Sequence, residues 1–165
     1  MRGRYQVGDR VETFTRYDGV YRSTDDAGDT LVLDDRVEAL MDGWVIRGGV
    51  VGAECLWVRG ETEHRADAVG FTGLSPGFEV ATARRLALAE GDSRHLVLVE
   101  LTPPVGAALT VRRTWTRTEG PDEGIERYEV ADVDTGEGWV LHLAGDVLVS
   151  REGRWPAHLL HLEPS

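Results

Sequence analysis

Between Phe71 and Gly120 the chain carries three runs with the hydrophobic patterning of β-strands, separated by turn residues. From Phe78 the even positions are Phe78, Val80, Thr82, Arg84, Leu86 and Leu88. The odd positions between them are Glu79, Ala81, Ala83, Arg85 and Ala87. His95 to Leu101 is almost continuously apolar, as a strand covered on both faces would be. The third run places Leu109, Val111, Arg113, Trp115 and Arg117 on one parity and mostly threonine on the other. Side chains alternate between the two faces of a strand, so Arg84, Arg113 and Arg117 are expected to point the same way as large apolar neighbours. A cation facing a core is costly unless something anionic meets it.

The same reading predicts short strands elsewhere. Val11 to Phe14 and Val20 to Arg22 flank Asp18 and Gly19, a strong hairpin signal because both residues tolerate positive φ. Thr30 to Met41 fits helical spacing at Leu33, Val37, Leu40 and Met41, but reads better as two strands. A second Asp-Gly at 42–43 then leads into Trp44 to Val51, with a bulge or bend expected at Gly48 and Gly49. Cys55 to Arg59, the region of Tyr128 and Val130, Trp139 to Leu143 and Val147 to Ser150 complete the set. The segment after Trp155 and Pro156 reads as a terminal turn or short helix. Turns are expected at 75–77 and 90–92, and a stop at 102–104. Strands about ten residues apart with no clear helix predict an all-β, mainly antiparallel roll, barrel or sandwich. One domain over residues 1–165 is expected.

Charge narrows the function. The net charge is -11, which opposes binding to nucleic acid and to anionic membrane surfaces. All 18 basic residues are arginine, and asparagine is also missing, a drift that fits a GC-rich genome or adaptation to salt or heat. With Cys55 the single cysteine, no internal disulfide can form, and a small buried thiol is the expected role. The N-terminus lacks the apolar stretch of a secretory signal, and no window reaches membrane-span length. A cytoplasmic location without membrane insertion is therefore expected.

From Thr72 through Ser75, Pro76, Arg84, Arg85, Leu86, Leu88 and Gly91 the sequence resembles a bacterial family of glycolipid-binding proteins. The resemblance continues through the Arg113, Thr114, Trp115, Thr116, Arg117 segment, with tryptophan where the family usually has tyrosine. It extends to Arg127 and Tyr128 and, loosely, to Gly145 through Pro156. About the last 100 residues are covered; the Asn-Thr that often precedes the arginine pair is absent, and the N-terminal half matches weakly. The resemblance implies a spiral β-roll similar in architecture to lipoprotein-carrier folds, and it brings no catalytic residue.

The expected ligand site is Arg84, Arg113, Trp115, Arg117 and Tyr128. Guanidinium forks suit phosphate or carboxylate, and aromatic rings suit sugar faces. The competing reading pairs these arginines with acids such as Glu100, Glu129 or Asp132 in an internal salt-bridge lattice. Most of the five tryptophans are expected in the core. His158 and His161 have the spacing of two ligands on a helical turn but lack a third. His64 or His142 as an acid/base group would need a partner that sequence cannot place. The expectation is non-enzymatic binding of an amphiphilic or glycolipid-like molecule inside a β-roll cavity, without cofactor or metal. The alternative is a homo-oligomeric interaction module, such as a homodimer, joined through strand edges.

Overall fold

The computed structural model describes residues 1–25, 28–32, 35–41, 43–102 and 107–163. Eight strands come first: β1 (Arg2–Val7), β2 (Arg10–Tyr17), β3 (Val20–Asp25), β4 (Gly28–Val32), β5 (Arg36–Met41), β6 (Trp44–Val51), β7 (Glu54–Arg59) and β8 (Thr62–Ala66). A three-residue strand, β9 (Phe71–Gly73), leads into one helix, α1 (Pro76–Leu86). Six more strands follow: β10 (Ser93–Thr102), β11 (Ala107–Thr118), β12 (Ile125–Asp132), β13 (Gly138–Ala144), β14 (Val147–Glu152) and β15 (Ala157–Glu163). They form a single sheet that runs from β8 back to β1, across to β15, down to β10 and ends at β9. The fold is all-β with one short helix, and the sheet is not closed.

Two antiparallel meanders are thus joined by pairing the first strand with the last, and β9 to β10 is the parallel pair. A parallel pair needs a crossover, and α1 supplies it. Rolling of the sheet encloses this helix: Phe78, Val80 and Ala83 are buried, and so are the polar Glu79 and Thr82. One wall is a ladder of stacked rings, Tyr5 on Phe14 at 4.6 Å and Phe14 on Tyr21 at 5.4 Å. Gly77 lets the helix lie against it, because a Cβ there would run into the Tyr21 ring. The two ends of the sheet approach near β9. Cys55 Sγ lies 3.4 Å from the Ala68 carbonyl oxygen, and Trp57 meets Phe71 edge-on at 6.3 Å. Both faces of β10 are covered as its sequence predicts, with Leu96 and Leu98 on one and Val99 and Leu101 on the other.

Several expectations change. Phe78 to Leu88 is not a strand, because residues 76–86 are helical. Ser75 is the N-cap in extended conformation, Pro76 starts the helix, Glu79 lies in the first turn and Arg84 and Arg85 in the last. Each fits the helix dipole and the N-terminal preference for proline, and the alanines add propensity. The expected turn at 75–77 is therefore the start of α1. Ala87 closes the helix in the left-handed region and donates its N–H to Ala83. The C-terminal segment is strand β15, drawn out by the open edge of β1. Pairing runs in regular register through Gly48 and Gly49, so neither is a bulge. A Cβ on Gly48 would meet Phe71 at 2.7 Å and Trp57 at 2.9 Å, so close packing accounts for this glycine. Part of the expected turn at 42–43 and most of the stop at 102–104 lie outside the described residues. Among the described residues no helix is long and apolar enough to cross a membrane.

Candidate functional site

Four of the five residues expected to bind a ligand converge at the C-terminal end of α1. Arg84 leaves the last helical turn and holds Glu126 with two bonds, Nη1 to Oε1 at 3.2 Å and Nη2 to Oε2 at 3.1 Å. Its Nε reaches Asp146 at 3.0 Å, and Nη2 also donates to the Gly145 carbonyl. Tyr128 donates to Glu126 Oε2 at 2.8 Å, and Trp115 lies edge-on to the Tyr128 ring at 5.7 Å. Arg117 donates to the Leu88 carbonyl at 2.8 Å and stands 3.9 Å from Glu126. Burial works to raise the Glu126 pKa, but Arg84, Tyr128 and Arg117 together outweigh it and hold the carboxyl below its ordinary value. Burial and the neighbouring Glu126 push the Tyr128 hydroxyl up to about 12. Both carboxylates of this cluster are taken by arginines, Asp146 also by Arg16 at 3.5 Å, and its evident action is to tie the helix end to β12 and to the turn between β13 and β14.

Arg113 belongs to a different group. It donates from Nε to Asp132 at 2.8 Å and from Nη2 to Glu100 at 3.3 Å, with its guanidinium 4.8 Å from the Trp139 ring centre. All three ionic groups are buried. Asp132 also accepts the backbone N–H groups of Asp134 and Thr135. These bonds and Arg113 overcome burial and leave its pKa lowered. The lattice expected from Glu100 and Asp132 is therefore present around Arg113. Glu129 instead pairs with Arg127 at 2.9 Å.

The histidines are placed differently from their expected roles. His158 and His161 sit on strand β15, where spacing of three no longer stacks side chains as on a helix. His64 stacks on Trp57 at 5.4 Å, and Glu54 lies 3.6 Å from Arg65. Nδ1 of His142 is 3.1 Å from the Ser150 hydroxyl. Cys55 is buried, with its thiol pushed up to about 11 by burial. Trp57, Trp115 and Trp139 are core residues, whereas Trp44 is 40 % exposed.

A second polar centre, not foreseen from the sequence, lies at the N-terminal end of α1. Glu12 on β2 is only 4 % exposed. Tyr21 and Ser75 both donate their hydroxyls to its Oε1, the latter at 2.7 Å. Ser75 makes no capping bond to its own helix; its hydroxyl serves Glu12 instead. Burial raises the Glu12 pKa, opposed in part by the hydroxyls of Tyr21, Ser75 and Ser23. Glu12 lines a pocket of about 30 Å³, room for about two waters. Ser23, Asp25 and Thr30 add polar lining, while Leu40, Leu74, Phe78 and Leu101 make it apolar elsewhere. A signal for this centre existed: Glu12 has the parity of Phe14, so it had to face inward with it.

No family model matches the chain, and no curated protein matches it. Among solved structures it is similar to the crystal structure of a DUF1089 family protein, PA1994, from Pseudomonas aeruginosa. That likeness has a TM-score of 0.57 at 15 % identity and covers 88 % of this chain and 86 % of the other. At such identity the fold is what the two chains share.

Proposed function

We propose that the protein is a non-enzymatic binding module that takes one small amphiphilic molecule, glycolipid-like in having a polar head and an apolar tail, at the end of the β-roll where α1 begins. The observation that carries this reading is the two-sided pocket around Glu12, polar on the β2–β3 side and apolar where α1 and Leu101 close it; at about 30 Å³ it admits only a small group of the head, and the rest of the molecule lies outside it. Binding sites commonly combine an apolar wall with a few convergent polar groups. The residues of the expected arginine site do not line this pocket. Arg84 and Arg117 with Tyr128 and Trp115 hold one end of the helix, and Arg113 stiffens the wall from β10 to β12. Native mass spectrometry of the protein incubated with octyl glucoside and dodecyl maltoside tests this. Retention of one amphiphile per chain is expected; a chain that retains neither overturns it.

The alternative, a homo-oligomeric interaction module, draws on β8, which ends the sheet with Thr62 to Arg65 exposed. Sedimentation equilibrium that finds a tight dimer with no amphiphile bound would favour it.

A further inference from the structure

We propose that the Glu12 pocket is a binding site for the ammonium head of a primary amine, with Glu12 as the carboxylate that receives it. This ligand class rests on the reading above only in assigning a small molecule to the same pocket. The first argument is charge. Three ionisable side chains line the pocket, and Arg10 stands 3.5 Å from Asp25, so that pair largely cancels. Glu12 is left with neutral hydroxyl partners, Tyr21 and Ser75, deep in the wall. A buried carboxylate without a paired cation is costly, so burial favours the protonated form, and an incoming ammonium group would favour the carboxylate.

Donor and acceptor chemistry makes the second argument. An ammonium group has three donors and no acceptor. The pocket offers acceptors in the Glu12 carboxylate and in the hydroxyl oxygens of Ser23 and Thr30. With Asp25 paired to Arg10, an anionic head would instead face the Glu12 carboxylate. A divalent metal is disfavoured too, since no group of three or more metal-ligating side chains occurs among the described residues. Size and lining give the third argument. About 30 Å³ suits a compact head, while Leu40 and Leu101 offer apolar contact for the first carbons of an alkyl tail. The net charge of -11 raises the local concentration of any cation.

Titration calorimetry with butylammonium chloride tests the assignment, with n-butanol and butyrate as controls of similar length. Butylammonium is expected to bind with one site, and Glu12→Gln to weaken it at least about tenfold, the loss of one charge-assisted contact. Should Glu12→Gln fold poorly by circular dichroism, the carboxyl carbon resonance of Glu12 in the wild-type chain replaces it. That resonance is expected to move on adding butylammonium and to stay put with butanol. Equal binding of butanol, or no binding of butylammonium, overturns the ammonium assignment. Amphiphile retention alongside either result leaves the binding module standing. Butylammonium binding without amphiphile retention does the reverse, keeping the ammonium site and removing the amphiphile.

Discussion

Glu12 and Glu126 show how one residue type takes opposite character in two places. Around Glu126 two arginines and a tyrosine overcome burial and favour the charged form. Glu12 has only hydroxyls, and there burial wins. The consequences for stability have opposite sign. Folded Glu12 keeps its proton at pH values where the unfolded chain has lost it, so its contribution falls as pH rises from the ordinary carboxyl range through the raised value. Glu126 and Asp132, with lowered pKa values, contribute above the ordinary carboxyl range, and that contribution is lost as pH falls through their lowered values. Urea unfolding between about pH 2 and 8, spanning the ordinary carboxyl values on both sides, checks this. Glu12→Gln is expected to flatten the upper part of the profile and leave the acid limb intact; a profile unchanged by the substitution would contradict the account. Glu12 shares the parity of Phe14 and Glu126 that of Tyr128, which gives each a direction but not a partner.

At the scale of elements, α1 is the piece that local pattern misassigned. Its even positions alternate well enough for a strand, and nothing within the segment says that a crossover is needed there. Two clamps hold it. Arg84 secures the last turn, and Arg151 on β14, 2 % exposed, pairs with Glu79 and donates to the Leu74 carbonyl at 3.0 Å. Removing one partner of a buried ion pair strands the other, so Arg151→Met is expected to cost about 3–5 kcal/mol. Adding Glu79→Leu should recover a large part of that loss in chemical denaturation, because the stranded charge goes too. Gly77 makes a sharper test, since two effects compete. Helix propensity favours alanine by about 1 kcal/mol, whereas a Cβ would collide with the buried Tyr21 ring. Overpacking costs about 1–3 kcal/mol, so Gly77→Ala is expected to lower the melting temperature. A stabilised variant would mean that helix and ring ladder are not in contact.

For the molecule as a whole, the decisive pairing is β1 with β15, strands at opposite ends of the chain. Neither meander is complete alone, because the Tyr5 hydroxyl oxygen of the first accepts the Leu148 N–H of the second, at 3.1 Å. The helix adds a further link, with Ser75 on Glu12 and Arg151 on Glu79. Differential scanning calorimetry is therefore expected to find one cooperative transition with equal calorimetric and van't Hoff enthalpies. Two resolved transitions, one per meander, would refute that coupling. Refolding should be slow for a chain this short, since the closing strands must meet across its whole length.

Periodicity and turn residues were enough to place most strands, since both act between near neighbours. Asp18 and Gly19, with φ of 49° and 75°, form the hairpin turn their types demand, and the alternation of β11 turns Arg113 and Trp115 into the interior. What meets those side chains is a different matter. Arg84 finds Asp146 at a separation of 62 residues, and Ser75 finds Glu12 at 63. The winding of the sheet sets those meetings, turns residues 76–86 into an enclosed helix, and leaves Glu12 lining a pocket with the hydroxyls of Tyr21 and Ser75 as its partners. Alternation reports a direction along one strand; the identity of a partner depends on how distant strands are brought together.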